Sequence, residues 1–134
     1  MNILLDTHIA IWAITDDSRL SAKARKMLLD PDNNIYVSAV STLEVNNKRK
    51  SKSNNLEFTT EQFIDSCDDA SYLQLPLHSK HFITENTLRW KGPGEEHKDP
   101  YDRLLVAQAK AENFRLMTHD SKIQYFDEKC ILQV

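Results

Sequence analysis

The sequence has few of the residues that interrupt or cross-link a chain. Its 134 residues include only two glycines, four prolines and two cysteines. Both glycines fall within residues 91–96 (KGPGEE), and this segment therefore predicts the one flexible loop. Cys67 and Cys130 lie far apart and show no CxxC spacing, so we expect neither a disulfide framework nor a zinc site.

Long apolar runs and an export signal are also missing. The longest apolar runs, such as 9–14 and 104–107, fall far short of the ~20 residues that span a bilayer, so we expect no membrane segment. The first residues carry neither a basic leader nor a small-residue cleavage site, which predicts a cytoplasmic protein.

The chain has no excess of positive charge. Its formal net charge is -3, so a contact with nucleic acid through a broad basic face is not expected, and any such contact must be local. The basic cluster of Lys48, Arg49, Lys50 and Lys52 is interpreted as a solvated helix end, with a phosphate contact as the alternative.

Short apolar strands alternate with helical patterns along the chain. This alternation predicts parallel pairing through crossovers, hence a three-layer α/β/α sandwich with a short-stranded parallel sheet in a single domain over 1–134. The predicted strands are 2–5, 35–37, 73–75, 115–117 and 130–132. The predicted helices are 7–13, 18–29, one capped by Ser38 or Ser41, one opened by Thr59 or Thr60, 77–88, one from Asp99-Pro100 to about 113, and a turn over 122–126.

Four acids are placed to meet at one edge of this sheet. Asp6 follows the first strand and Asp120 follows the strand at 116–118, so both belong to the carboxyl edge, where ligands collect in parallel sheets. Glu44 lies inside the third helix, and Asp102 lies in the first turn of the long helix. Taken alone, Asp6 and Asp120 could be caps and Glu44 a solvated helix acid.

Taken together, the four carboxylates would repel each other by about 4 kcal/mol per close pair at an intermediate dielectric, so a cation is expected among them. Ligands that are all oxygen suit Mg²⁺ or Mn²⁺, and the matching chemistry is phosphodiester hydrolysis. Asp99 is interpreted differently. It precedes Pro100 and is placed to cap the long helix.

Four sequence blocks in this order resemble the VapC-type PIN domains, the toxins of type II toxin-antitoxin systems. The blocks are residues 4–8 (LLDTH), 38–44 (SAVSTLE), 97–109 (HKDPYDRLLVAQA) and 117–120 (MTHD). The resemblance covers essentially the whole chain, and the block at 97–109 is the most specific. It implies a single PIN domain that acts as a metal-dependent endoribonuclease. Its catalytic and metal-binding residues would be Asp6, Glu44, Asp102 and Asp120.

The resemblance also implies partners and supporting residues. It implies an RNA substrate, a homodimer, and a small VapB-like antitoxin that inhibits the enzyme and mediates any contact with DNA. Thr7 and Thr118 match positions beside the acids, where a hydroxyl could bond a carboxylate or a metal-bound water, with turn capping as the alternative. Arg103 is interpreted as a structural ion pair. His8, His97 and His119 are not needed as bases beside an oxygen-ligated metal.

Two features depart from the usual pattern. Asn46 and Asn47 follow Glu44 where a more apolar helical face is expected, and residues 88–96 form a slightly enlarged loop. Both bear on how the substrate fits and leave the chemistry intact.

Two other enzyme classes also place an aspartate after a first strand. Haloacid-dehalogenase-like phosphatases need a second acid where this chain has His8, and receiver domains need an aspartate after a central strand, where 35–37 leads to Ser38. A non-catalytic PIN-like module that only binds RNA or protein remains the alternative.

Overall fold

The computed structural model describes residues 1–51 and 56–134. Within them lie five strands, six α-helices and one turn of 3-10 helix at Ile123–Tyr125. The strands are β1 (Asn2–Leu5), β2 (Asn34–Ser38), β3 (Leu73–Leu75), β4 (Arg115–Thr118) and β5 (Ile131–Gln133). The helices are α1 (Thr7–Ile14), α2 (Ala22–Leu29), α3 (Ala39–Lys50), α4 (Thr60–Asp69), α5 (Ser79–Glu85) and α6 (Pro100–Glu112).

The five strands form one parallel sheet in the order β3-β2-β1-β4-β5, as the alternation of strands and helices predicts. The central strand β1 pairs with β2 on one side and with β4 on the other. In the second pairing Leu5 lies opposite Met117, so both strands end at the same edge. The segments that follow β1 and β4 are therefore neighbours.

Helices cover both faces of the sheet. Successive side chains of a strand point to opposite faces, and Ile3 and Leu5 join one core cluster while Leu4 joins the other. The first cluster includes Phe63 of α4, and the second includes Leu105 of α6. The predicted three-layer sandwich is confirmed.

Two predicted helices have wrong bounds. Helix α2 begins at Ala22 and not at 18, because the Ser21 hydroxyl accepts from the Ala24 amide at 3.1 Å and caps it. Upstream, Asp17 binds the backbone amide of Arg19 at 2.9 Å and holds a turn. The helix predicted over 77–88 is shorter, at Ser79–Glu85.

Both cysteines of the chain are buried in its core. Cys67 and Cys130 are both free, and burial raises the pKa of their thiols to about 12 and about 11 respectively. Across residues 1–51 and 56–134, no helix has the length and apolar character needed to cross a membrane. Lys52, a member of the basic cluster, lies outside the described residues.

Candidate active site

Asp6 lies at the junction of β1 and α1, where it is only 3% exposed. Its Oδ1 accepts from the backbone amide of His8 at 2.9 Å, and its Oδ2 accepts from the hydroxyl of Thr118 at 2.6 Å. Burial raises the pKa of Asp6 above its ordinary value, the two hydrogen bonds oppose this rise, and the charge of Asp120 adds to it. The buried carboxylate is therefore costly to ionise without a nearby cation.

Asp120 follows β4 and is linked to Asp6 through one hydroxyl. The Thr118 oxygen that donates to Asp6 also accepts from the backbone amide of Asp120 at 3.1 Å. Oδ1 of Asp120 accepts from the amides of Lys122 at 2.7 Å and Ile123 at 3.1 Å, so the residue also caps the turn that follows. The hydroxyl of Thr118 thus contacts both acid-bearing segments.

The two aspartates at the start of α6 have different partners. Oδ1 of Asp99 accepts from the amides of Tyr101 at 2.9 Å and Asp102 at 3.0 Å, which confirms its predicted role as the helix cap. Oδ2 of Asp102 lies 2.7 Å from Nε2 of His97. Burial raises the pKa of Asp102 to about 7; the His97 hydrogen bond opposes this, and the charges of Asp99, Asp6 and Asp120 reinforce it. Asp6, Asp102 and Asp120 therefore lie close enough to act on one another electrostatically.

Glu44 approaches the same region from α3. It is 6% exposed, and its Oε2 forms an ion pair with Nζ of Lys48 at 2.9 Å, one helical turn away. Its Oε1 is buried and has no hydrogen-bond partner among the described residues. A buried polar atom without a partner is uncommon and points to a missing one.

Contacts on either side of Glu44 join its helix to the segments that carry Asp6 and Asp102. One turn before it, the Ser41 hydroxyl lies 2.9 Å from that of Thr7, the neighbour of Asp6. One turn after it, Nδ2 of Asn47 donates to the hydroxyl of Tyr101, the neighbour of Asp102, at 2.8 Å. The polar residue that departs from the family pattern at position 47 thus joins α3 to α6, and Thr7 joins α3 to α1.

The residues present suit a hard divalent cation. The four acids offer only oxygen ligands, and two of them carry raised pKa values. One oxygen of Glu44 has no partner among residues 1–51 and 56–134. In the described part of the chain, no three acids, histidines or cysteines are grouped so that they could hold a metal ion. Each acid is instead held by its own local donor. Mg²⁺ tolerates such an open set, because it keeps several waters and takes few direct carboxylates.

Sequence reasoning missed the part that His97 plays. It precedes Asp102 by five residues, and residues 98 and 99 intervene before α6 begins at Pro100, so spacing alone gives no signal of the contact. Arg103 forms the structural ion pair expected of it, although its partners are Glu85 and Glu96, each at 2.6 Å, and not the neighbouring aspartates.

The sequence model of the PIN domain family matches residues 3–129 of the chain. The chain belongs to the PIN domain family. Solved structures with the same fold include VapBC2 from Rickettsia felis bound to a promoter DNA fragment, which is 23% identical with a TM-score of 0.67 over 99% of this chain and 98% of that one. DNA-bound VapBC from Salmonella typhimurium is 14% identical, with a TM-score of 0.65 over 99% and 98%. VapBC-1 from nontypeable Haemophilus influenzae is 22% identical, with a TM-score of 0.60 over 92% and 90%.

At these identities the neighbours establish the fold of this PIN domain and not its activity. No curated protein matches the sequence. Within the PIN fold, Asp6 and Asp120 follow β1 and β4 at the carboxyl edge of the sheet, Asp102 lies in the first turn of α6, and Glu44 lies on α3.

Proposed function

We propose that this PIN domain is a metal-dependent endoribonuclease that acts as the toxin of a VapBC-like pair. It would hydrolyse RNA phosphodiester bonds with Asp6, Glu44, Asp102 and Asp120, which would bind Mg²⁺ or Mn²⁺. The observation that carries the proposal is the mutual electrostatic influence of three buried or half-buried aspartates from different parts of the chain. A buried oxygen of Glu44 on α3, which has no partner among the described residues, supports it. Such a cluster is costly in a folded protein unless a cation compensates it.

The protein residues divide into ligands and positioning groups. A bound divalent ion supplies an activated water and stabilises negative charge on the phosphate oxygens. The four acids would hold it, and Asp6 and Asp102 would bind in their ionised forms. Thr118 fixes Oδ2 of Asp6, and His97 fixes Oδ2 of Asp102, so that each carboxylate keeps one orientation.

Membership of a toxin-antitoxin pair is proposed from the neighbours. The similar structures are VapBC assemblies, two of them bound to DNA. We infer that this chain forms a homodimer and binds a small VapB-like antitoxin, through which alone it would meet DNA. A basic side chain from that partner would neutralise the acidic cluster and compete with the metal.

A second candidate, a non-catalytic PIN-like module that binds RNA or protein, is favoured by one observation. Lys48 already pairs with Glu44 at 2.9 Å, which gives this acid a positive partner without any metal. The two candidates differ in whether RNA is cut.

The test is cleavage by the purified protein. RNA should be cleaved with Mg²⁺ or Mn²⁺, cleavage should stop in EDTA, and an excess of metal should restore it. Expression with and without a neighbouring small gene, followed by mapping of RNA ends, tests the toxin assignment. Cleavage that persists in excess chelator would overturn the metal mechanism, and binding without any cleavage would favour the second candidate.

A further inference from the structure

A cavity of about 410 Å³ is lined by two residues that contact Asp102 and Asp120. It lies between the loop at 90–98 and the 3-10 turn, and its walls include Trp90, His97, Lys98, Lys122 and Tyr125. Two of these residues connect it to the acids. Nε2 of His97 lies 2.7 Å from Oδ2 of Asp102, and the backbone amide of Lys122 donates to Oδ1 of Asp120 at 2.7 Å. A chain that crossed the acids would therefore meet this cavity next.

The aromatic wall of the cavity is firmly held. The Trp90 ring packs edge-on against Phe126, with ring centroids 5.3 Å apart, and against Tyr125 at 6.0 Å. The amide of Lys91 donates to the carbonyl of Tyr125 at 2.9 Å. A Cβ added at Gly92 would lie 2.6 Å from Cβ of Tyr125 and 2.7 Å from Cζ2 of Trp90, so only glycine lets the loop approach this closely. The enlarged loop is thus built around the two rings.

The exposed groups of the cavity are the ring of Tyr125, the cations of Lys98 and Lys122, and the carboxylate of Glu95. Glu96, which also lines the cavity, pairs with Arg103 at 2.6 Å. Tyr125 is 38% exposed, which is high for a large side chain so well anchored. Lys98 and Lys122 are exposed, and neither pairs with a carboxylate in the described part of the chain, whereas Lys91 and Lys110 on nearby surfaces do. The indole N–H of Trp90 is buried and has no acceptor among those residues.

We propose that this cavity is a subsite for one unpaired nucleobase of the RNA, next to the phosphodiester that would be hydrolysed at the acids. The base would stack on Tyr125, and Lys98 and Lys122 would contact the flanking phosphates. This inference rests on the proposed action on RNA. Aromatic faces that stack unpaired bases, with cations along the backbone, are how proteins bind single-stranded RNA. Because the net charge of the chain is -3, two free lysines at this place count for more than they would on a basic surface.

The subsite is tested by measuring the affinity of the protein for short fluorescein-labelled RNA homopolymers of adenosine, uridine or cytidine. Ca²⁺ would replace Mg²⁺, to supply the charge of the cation while slowing cleavage. Tyr125→Ala should weaken binding by about tenfold and Tyr125→Phe should preserve it, since the ring and not the hydroxyl stacks. Phe82→Ala, which removes an aromatic ring that is 51% exposed on α5, is the matched control and should leave binding unchanged.

The two lysines are tested by the salt dependence of binding. Lys98→Gln and Lys122→Gln should each flatten the slope of log affinity against log salt by about 0.7, the value for one phosphate contact on a single strand. The control is Lys129→Gln, an exposed lysine that lies outside the cavity lining. Slopes that respond equally to all three substitutions would contradict a local phosphate contact.

Substrates that lack one base separate this inference from the proposed function. For wild type, an abasic nucleotide should weaken binding most at one position, and Tyr125→Ala should remove that difference. RNA that binds in this pattern but is never cut would overturn the nuclease and keep the subsite. RNA that is cut equally well by wild type and Tyr125→Ala, with no position-dependent loss, would overturn the subsite and keep the nuclease. If Tyr125→Ala loses binding to a small protein partner and keeps its binding to RNA, the cavity belongs to that partner and the subsite is overturned.

Discussion

Asp99 and Asp102 share the first turn of α6, yet their side chains bind different groups. The cap made by Asp99 uses one carboxylate oxygen, and asparagine offers an equivalent oxygen, so Asp99→Asn should keep stability and RNA cleavage close to wild type. Asp102→Asn removes a charge from the proposed metal site and should lower cleavage by orders of magnitude. Melting temperature and cleavage rate, measured side by side, check both expectations.

The pair of variants is its own control, because both replace an aspartate at the same helix end by its amide. A variant Asp102→Asn that is folded but inactive is the expected result. An inactive Asp99→Asn beside an active Asp102→Asn would reverse the two assignments.

The pKa of Asp102 leads to a pH dependence of stability. Burial raises this pKa from 3.8 to about 7 in the folded protein, so folding favours the protonated acid. The stabilisation from this group is fully present below pH 3.8 and is lost as the pH rises through about 7. Without metal, the melting temperature should therefore fall between pH 5 and pH 8 by several degrees, since about 1 kcal/mol shifts it by roughly 4 °C in a domain of this size.

Asp102→Asn cannot ionise and should show a smaller fall over the same pH range. Its melting temperature at pH 8, measured in EDTA, should exceed that of wild type. Equal slopes for the two proteins would mean that the Asp102 carboxylate is not the group responsible.

At the scale of single residues, the sequence predicted roles that depend on local backbone geometry. Asp99 as a cap follows from its place before Pro100, and the structure confirms it. The hydrogen bond from His97 and the raised pKa of Asp102 could not be predicted, because both arise from side chains brought together by the fold. The partners of Arg103 could not be predicted for the same reason, since Glu85 lies on another helix.

At the scale of elements, the start of α3 depends on a buried polar contact. The Ser38 hydroxyl caps α3 by accepting from the amide of Val40 at 2.9 Å, and it also contacts the side chain of Gln108, which is fully buried. Nε2 of Gln108 donates to the carbonyl of Pro76 at 3.2 Å. The side-chain amide of Gln108 thus joins α6 to the end of β2 and to the segment after β3. It also fixes the start of α3, the helix that carries Glu44.

Gln108→Leu keeps the volume of this side chain and removes its hydrogen bonds. It should cost about 1–3 kcal/mol, because the hydroxyl of Ser38 and the carbonyl of Pro76 lose their partner in the interior. Thermal unfolding measures the loss. Gln124→Leu, at an exposed position, is the control and should change stability by less than about 0.5 kcal/mol. If Gln108→Leu and Gln124→Leu lower the stability by the same small amount, the buried contact contributes little.

The start of a helix stayed open in the sequence where two residues could serve as its cap. Ser38 and Thr59 are observed caps, and each was one of two candidates in the sequence. The predicted start of α2 was too early because Ser18 is also a suitable cap residue. The turn made by Asp17 and Arg19 excludes Ser18 from that role. A choice between two good caps is decided by packing, which the sequence does not display.

At the scale of the whole molecule, the strand order explains why the acids meet. From β1 the chain builds the sheet outward through β2 and β3, and then returns to place β4 on the other side of β1. Asp6 and Asp120 follow the two strands that flank this reversal, where parallel sheets form a crevice for ligands. Parallel pairing was predictable from the alternation of elements, but the order was not, because strand neighbours are chosen by contacts remote in sequence.

Binding at this crevice should stabilise the whole fold. Mg²⁺ or Mn²⁺ would bind the assembled acids and not the unfolded chain, so the melting temperature should rise with metal concentration, by about 2.7 kcal/mol of stability at a hundred times the dissociation constant. Asp102→Asn should weaken this response, and Asp127→Asn, an exposed aspartate outside the cluster, should retain it. The acids are carried by β1, α3, α6 and the segment after β4, so the stabilisation should appear in one cooperative transition. If the melting temperature does not change at metal concentrations that support cleavage, the acids do not bind the catalytic metal.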